Sequence, residues 1–132
     1  MKISSIDHLV LTVRNIQVTC QFYHQVLGME VITFGENRYA LKFGEQKINL
    51  HQRGQEFEPK AGSPTAGSAD LCLISSSPIE EVIEHLHDCN VSIILGPITR
   101  TGAKGKIASI YIRDPDQNLL EIANYLDTKY VE

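Results

Sequence analysis

The chain has 132 residues, 42% hydrophobic and 21% charged, with a formal net charge of -4. That length suits one domain or two small modules, and the composition is that of an ordinary globular protein. The negative balance argues against nucleic acid or an anionic membrane as the main partner, and no apolar run approaches the ~20 residues of a membrane-spanning helix.

Residues 5–13 alternate as a strand, with Ile6, His8, Val10 and Thr12 on one face and Asp7, Leu9, Leu11 and Val13 on the other. Asn15 is placed to cap a helix over 16–27, and Gly28 to stop it. Ile16, Cys20, Tyr23 and Leu27 recur at helical spacing and should face a sheet. Three strands follow, over 29–34, 39–43 and 47–51, separated by Gly35-Glu36-Asn37 and Gly44-Glu45-Gln46. Residues 52–67 are rich in Gly, Pro and polar types and read as a linker, either a simple crossover or a segment that borders a site.

The pattern then restarts. A strand over 69–74 precedes a helix with Ser77 as its cap, Pro78 at its first position and Glu80 and Glu81 in its first turn. Ile79, Val82, Ile83, Leu86 and Cys89 form its apolar face. Strands follow over 91–95, near Ile98, over 107–113 and over 119–124, the last two joined by the tight turn Asp114-Pro115-Asp116-Gln117-Asn118. Residues 125–132 read as a peripheral tail or as packing on a partner subunit. The domain layout is thus module one over about 4–51, the linker 52–67, module two over about 68–125 and the tail 126–132.

The two halves match. His8 opens half one where Asp70 opens half two, and Lys47-Ile48-Asn49-Leu50-His51 closes one half as Asn118-Leu119-Leu120-Glu121-Ile122 closes the other. A repeat about a pseudo-two-fold axis would bring matched positions together, and these carry residue types that bind divalent metals. Residues two apart on a strand share a face, so Asn49 points with His51 and Leu119 with Glu121. Glu121 lies in an apolar strand, where a carboxylate needs a cation, either a metal or Arg113, or a position at the strand edge. Cys20, Cys72 and Cys89 are widely spaced and without a Cys-x-x-Cys motif. They read as buried free thiols of a cytoplasmic protein, and no signal-peptide pattern is present.

Ile6-Asp7-His8-Leu9-Val10-Leu11-Thr12-Val13, then Phe22-Tyr23 and Val26-Leu27-Gly28-Met29, resembles the vicinal oxygen chelate superfamily. So does the closing run from Ser109-Ile110-Tyr111 to Leu119-Leu120-Glu121. That superfamily includes glyoxalase I, extradiol dioxygenases, fosfomycin resistance enzymes and bleomycin resistance proteins. Within it, Ile48-Asn49-Leu50-His51 with Phe57-Glu58-Pro59-Lys60 resembles glyoxalase domain-containing protein 5.

The resemblance implies an α+β fold of paired βαβββ modules forming a cup-shaped, barrel-like mixed sheet with flanking helices. It also implies a homodimer and a divalent metal ion, one of Fe, Mn, Ni, Co or Zn. His8 and Glu121 match the family's ligand positions, and Asp70 stands where many members have His. Module one offers His51 or Asn49, and His51 is preferred because imidazole binds such metals better than a carboxamide. Asp70 would ligate through oxygen or orient a ligand histidine. Two open coordination positions would take neighbouring oxygens of a small substrate, with Glu121 as the base if it can leave the metal.

Ser109, Tyr111 and Arg113 share a strand face and are candidates to hold that substrate, with Asn49 beside them. The basic run Arg100-Thr101-Gly102-Ala103-Lys104-Gly105-Lys106 resembles the anion-holding loop of fosfomycin resistance enzymes and alternatively reads as a solvated hairpin tip; its candidates are Arg100 and Lys104. Tyr39 and Phe43 suit core packing better than a cleft wall, and His24, His85 and His87 read as surface residues. Three activities follow from the resemblance. The first is a metal-dependent enzyme with glyoxalase-like lyase or isomerase chemistry, or dioxygenase-type chemistry. The second is a metal-free sequestration protein of the bleomycin-resistance type. The third is an epoxide-opening resistance enzyme.

Overall fold

The computed structural model describes residues 1–126. Among them the order is β1 (His8–Val13), α1 (Ile16–Gln25), β2 (Glu30–Phe34), β3 (Arg38–Phe43), β4 (Gln46–Gln52), β5 (Asp70–Ile74), α2 (Ile79–Asp88), β6 (Leu95–Thr101), β7 (Lys106–Arg113) and β8 (Leu119–Tyr125). The chain divides into two compact units, Met1–Ala69 and a second beginning at Asp70. Each is one βαβββ module. The first sheet runs β1-β4-β3-β2 and the second β5-β8-β7-β6. In each, the first strand lies parallel to the last and the remaining neighbours are antiparallel. A parallel neighbour needs a crossover rather than a hairpin, and the helix with its following strands supplies it. The expected α+β class and the duplicated module are both borne out.

In the first unit the strand alternation sorts residues onto two sides. Leu11, Val13, Leu41, Ile48 and Leu50 are buried and lie on the side that α1 covers, the helix contributing Cys20, Tyr23 and Thr19. Tyr39 and Phe43 alternate with Leu41 and so belong to this core. The helix starts where Asn15 accepts a hydrogen bond from Val18 N at 3.0 Å, and ends before Gly28, whose φ of +69° is the left-handed conformation that closes many helices.

In the second unit Ile107, Ile110, Ile112, Leu120, Ile122 and Leu86 form the buried set. The Asp114–Asn118 turn is built on one carboxylate. Asp114 Oδ1 accepts from the backbone N–H groups of Asp116 and Asn118, both at 2.9 Å, and Oδ2 accepts from Asn118 Nδ2 at 2.8 Å.

Several local expectations need correction. Pro78, not Ser77, occupies the cap of α2 and makes no side-chain cap bond. The backbone carbonyls of Ser75 and Ser77 instead accept from Asn124 Nδ2, which ties the helix entry to β8. Residues 91–94 are not a strand; β6 begins at Leu95 and runs through Arg100 and Thr101, so the basic run is half strand. Cys20 is buried as expected, whereas Cys89 is half-buried and Cys72 is exposed, because β5 turns it to the face away from the core. Tyr125 closes β8, and the remainder of the expected tail beyond residue 126 lies outside the described residues. Among the described residues no helix is long and apolar enough to cross a membrane.

Candidate functional site

Strand register fixes what shares the outer face of the first unit. His8 pairs with Lys47, Val10 with Asn49 and Thr12 with His51. Ala40 and Lys42 of β3 lie opposite Asn49 and Lys47, which puts Arg38, two residues before Ala40, on the same face. The His8 ring is anchored by its neighbour: Nδ1 lies 2.8 Å from Asp7 Oδ2, which leaves Nε2 outside that contact. Asn49 Oδ1 is buried and has no hydrogen-bond partner among the described residues. An unpaired acceptor out of water costs about 1–3 kcal/mol unless something binds it.

His51 is buried and meets the Phe57 ring edge-on, centroids 5.6 Å apart. Phe57 therefore brings the segment after β4 against this face. Arg38 lies over the other side of the cluster, its guanidinium carbon 4.3 Å from the Phe57 centroid. Burial and then the Arg38 charge push the His51 pKa below its ordinary value, with Glu56 opposing. The imidazole is thus held neutral, the form that binds metals.

The second unit has the corresponding face. Asp70, Cys72 and Ile74 pair with Leu119, Glu121 and Ala123, while Arg113, Tyr111 and Ser109 of β7 lie opposite those same three. Glu121 is half-buried in the middle of the array. The fully buried Ser109 hydroxyl donates to Glu121 Oε2 at 2.5 Å, which fixes the carboxylate and leaves Oε1 available. Arg113 Nη1 donates instead to the Gln117 carbonyl at 3.3 Å. Arg100 Nε donates to the Tyr111 hydroxyl at 3.1 Å, and its guanidinium carbon stands 5.7 Å from that ring's centroid. The Lys104 backbone N–H donates to the Tyr125 hydroxyl at 3.1 Å, so the hairpin after β6 is tied to β8.

Cys72 is the residue of this face that sequence reasoning misplaced. It is the cross-strand neighbour of Glu121. Although Cys72 is exposed as a residue, partial cover of its sulfur and then the Glu121 charge push the thiol up to about 11, so it is protonated at neutral pH. The signal was present in the alternation of Asp70, Cys72 and Ile74, since Cys72 must share a face with Asp70.

The two registers also separate Asn49 from His51. His8 faces Lys47 and Asp70 faces Leu119, so with His8 matched to Asp70 the residue two further on is Asn49 in one unit and Glu121 in the other. His51 matches Ala123. Asn49 is the counterpart of Glu121, and His51 lies one strand repeat further along. Among the described residues no three His, Cys, Asp or Glu side chains stand together closely enough to hold a metal ion.

Two βαβββ modules with matched polar positions on the first and last strand of each, His8 with Asp70 and Asn49 with Glu121, define a class. The chain belongs to the Glyoxalase/Bleomycin resistance protein/Dioxygenase superfamily, whose model matches residues 5–122. It is 59% identical over 126 residues to virulence protein STM3117 of Salmonella typhimurium, covering 96% of this chain and 88% of that protein. The crystal structure of that protein superposes with a TM-score of 0.94, covering 96% of this chain and 100% of the other. The glyoxalase domain-containing protein RDO1 of Mycosarcoma maydis is 50% identical over 129 residues, 98% of this chain and 73% of that protein. The metallothiol transferase FosB of Staphylococcus epidermidis is 25% identical over 122 residues, 92% of this chain and 82% of that protein. STM3117 and RDO1 are thus the named relatives of high identity, and the likeness to glyoxalase domain-containing protein 5 rests on the sequence motifs alone. Members of the superfamily bind small-molecule substrates and commonly use divalent metals, and enzymes such as FosB are among them.

Proposed function

We propose that this chain is a divalent-metal-dependent enzyme that chelates a small substrate through neighbouring oxygens, with lyase, isomerase or dioxygenase-type chemistry. The ligand candidates are His8 and Glu121, with Asp70 and either Asn49 or His51. The carrying observation is the shared register: His8 and Asn49 on one outer face have the same relation as Asp70 and Glu121 on the other. The donor set fits a borderline-hard metal such as Mn, Fe, Co, Ni or Zn. Asn49 Oδ1 is a buried acceptor that lacks a donor, His8 has its Nδ1 occupied by Asp7, and Glu121 has one oxygen free.

When bound, the metal supplies Lewis acidity to the substrate's adjacent oxygens. The chain's own residues do the remainder. Ser109 holds Glu121 in one rotamer and keeps one carboxylate oxygen directed away from itself, where it can take a proton from the carbon next to a polarised oxygen. Tyr111, oriented by Arg100, presents a hydroxyl on the same face as Glu121, and Arg113 follows it two residues on. These residues, with Lys104 nearby on the hairpin, are the proposed substrate contacts. The active unit is proposed to be a homodimer, as the superfamily resemblance implies, and cytoplasmic, a reading supported by its free cysteines.

Metal content of untagged protein, measured by mass spectrometry beside His8→Ala and Glu121→Gln, tests this. About one transition metal per chain, lost in both variants, supports the reading. A wild-type protein that cannot be loaded with any of the five metals overturns it in favour of a metal-free binding protein.

A further inference from the structure

We infer that the outer face of the first unit binds the anionic end of the substrate, an oxyacid group such as a carboxylate or phosphonate, through Lys47 and Arg38. The inference rests on the metal-enzyme reading above and names the substrate class for it.

Lys47 is the register partner of His8, so its stem leaves the sheet beside a proposed metal ligand. Its ammonium ends 4.1 Å from the centroid of Phe34. Phe34 is in turn the register partner of Arg38, whose guanidinium carbon lies 4.3 Å from the centroid of Phe57. Both cations are half-buried, and neither has a carboxylate partner among the described residues. Lys42 on the same face differs, because Glu30 stands opposite it across the strand pair. Two further carboxylates are engaged elsewhere: both Glu56 oxygens accept from the Gly54 N–H, at 3.0 and 2.9 Å, and Asp7 Oδ2 lies 2.8 Å from His8 Nδ1.

A half-buried cation loses hydration, and a ring beneath it returns only about 0.5–2 kcal/mol. Two such cations on one face, each steered by a ring and left without a counter-charge, are organised for an anion that arrives from outside. Arg38 offers the planar fork that suits carboxylate or phosphonate, and Lys47 offers a point charge. The neighbouring groups do not compete for them: Asn49 is uncharged, and His51 carries no negative charge in either form. The substrate this face selects therefore carries an oxyanion, held where the Lys47 ammonium meets Phe34, on the sheet face that also carries His8 and Asn49.

The test uses the full chain loaded with Mn and titrated calorimetrically with three probes. Oxalate and methylphosphonate carry oxyacid groups, whereas acetohydroxamic acid has none and chelates through neighbouring oxygens after releasing its N–OH proton to solvent. Lys47→Met keeps the stem that packs on Phe34, and Arg38→Gln keeps a planar polar end. Each variant should weaken an oxyanion by about tenfold or more, the scale of a lost charge-assisted contact, and leave acetohydroxamic acid within about twofold. The oxyanion that loses more identifies carboxylate or phosphonate as the favoured group. Unchanged affinity for both oxyanions overturns the inference, as does an equal fall for all three probes. Metal uptake is read first and separately. If wild type takes up no metal, the enzyme reading fails, and the same variants titrated metal-free with methylphosphonate decide the anion site: a weakened affinity upholds it and an unchanged one overturns it.

Discussion

Cys72 and Glu121 are neighbours across one pair of strands, and the Glu121 charge acts on the thiol. The thiol is pushed up to about 11 by burial and by the Glu121 charge, so almost none of it is thiolate at neutral pH. Iodoacetamide should therefore modify Cys72 slowly. Glu121→Gln removes the charge and should speed the modification several-fold, read by mass spectrometry of the peptide; an unchanged rate would contradict the coupling. His51 is the opposite case. Its pKa is lowered in the folded chain, while unfolding exposes an imidazole of the ordinary value, 6.5. The unfolded chain thus takes up the proton first as pH falls. The stability contributed by neutral His51 is complete above about pH 6.5 and is lost as pH drops through the folded value. In metal-free protein, the fall in urea-melt stability between about pH 7.5 and about pH 5.5 should be smaller in His51→Gln than in wild type. Equal falls would sink this account. The choice between Asn49 and His51 was not legible from residue types, because it depends on which residue of β4 faces which residue of β1. Ligand chemistry favours the imidazole, whereas register favours the amide.

The elements themselves were largely readable where alternation or capping chemistry is local. Asn15, Gly28 and the Asp114 turn each act through groups within a few residues, and each is where the sequence places it. Asp114→Ala removes three accepted hydrogen bonds from a buried turn and should cost about 2–4 kcal/mol in a urea melt. The start of α2 and the path of β6 were less legible, because both are set by tertiary partners. Asn124 fixes the entry of α2 from the far end of the unit. β6 joins β7 through a register shift between Leu95 and Ile98 that only glycine permits. Gly96 has φ +104°, and a Cβ there would stand 2.4 Å from the Ser109 backbone oxygen. Gly96→Ala should destabilise the protein by more than about 2 kcal/mol. Because the displaced strand carries Ser109, it should also loosen the hold on Glu121 and weaken metal binding. A variant as stable as wild type would show that β6 accommodates the methyl group.

Across the whole chain, duplication is what made the fold class legible. Two modules with the same strand order can be recognised from two similar hydrophobic rhythms, even though their residues differ. The candidate site was legible at His8 and Glu121, which stand at matched strands of a repeated pattern. It was not legible at Lys47, Arg38 and Cys72, whose roles arise only from cross-strand neighbours. The 59% identity to STM3117 places the chain in its superfamily without assigning a reaction, since one scaffold carries many chemistries.

The claim on which the account turns is that matched outer-face positions bind a divalent metal. It is tested most directly by competition against a chromophoric chelator for Mn and for Zn, in wild type, Glu121→Gln, Asn49→Leu and His51→Leu. The account predicts at least about a tenfold loss of affinity in Glu121→Gln and in Asn49→Leu, with a smaller loss in His51→Leu. Equal affinity in wild type and Glu121→Gln would contradict it.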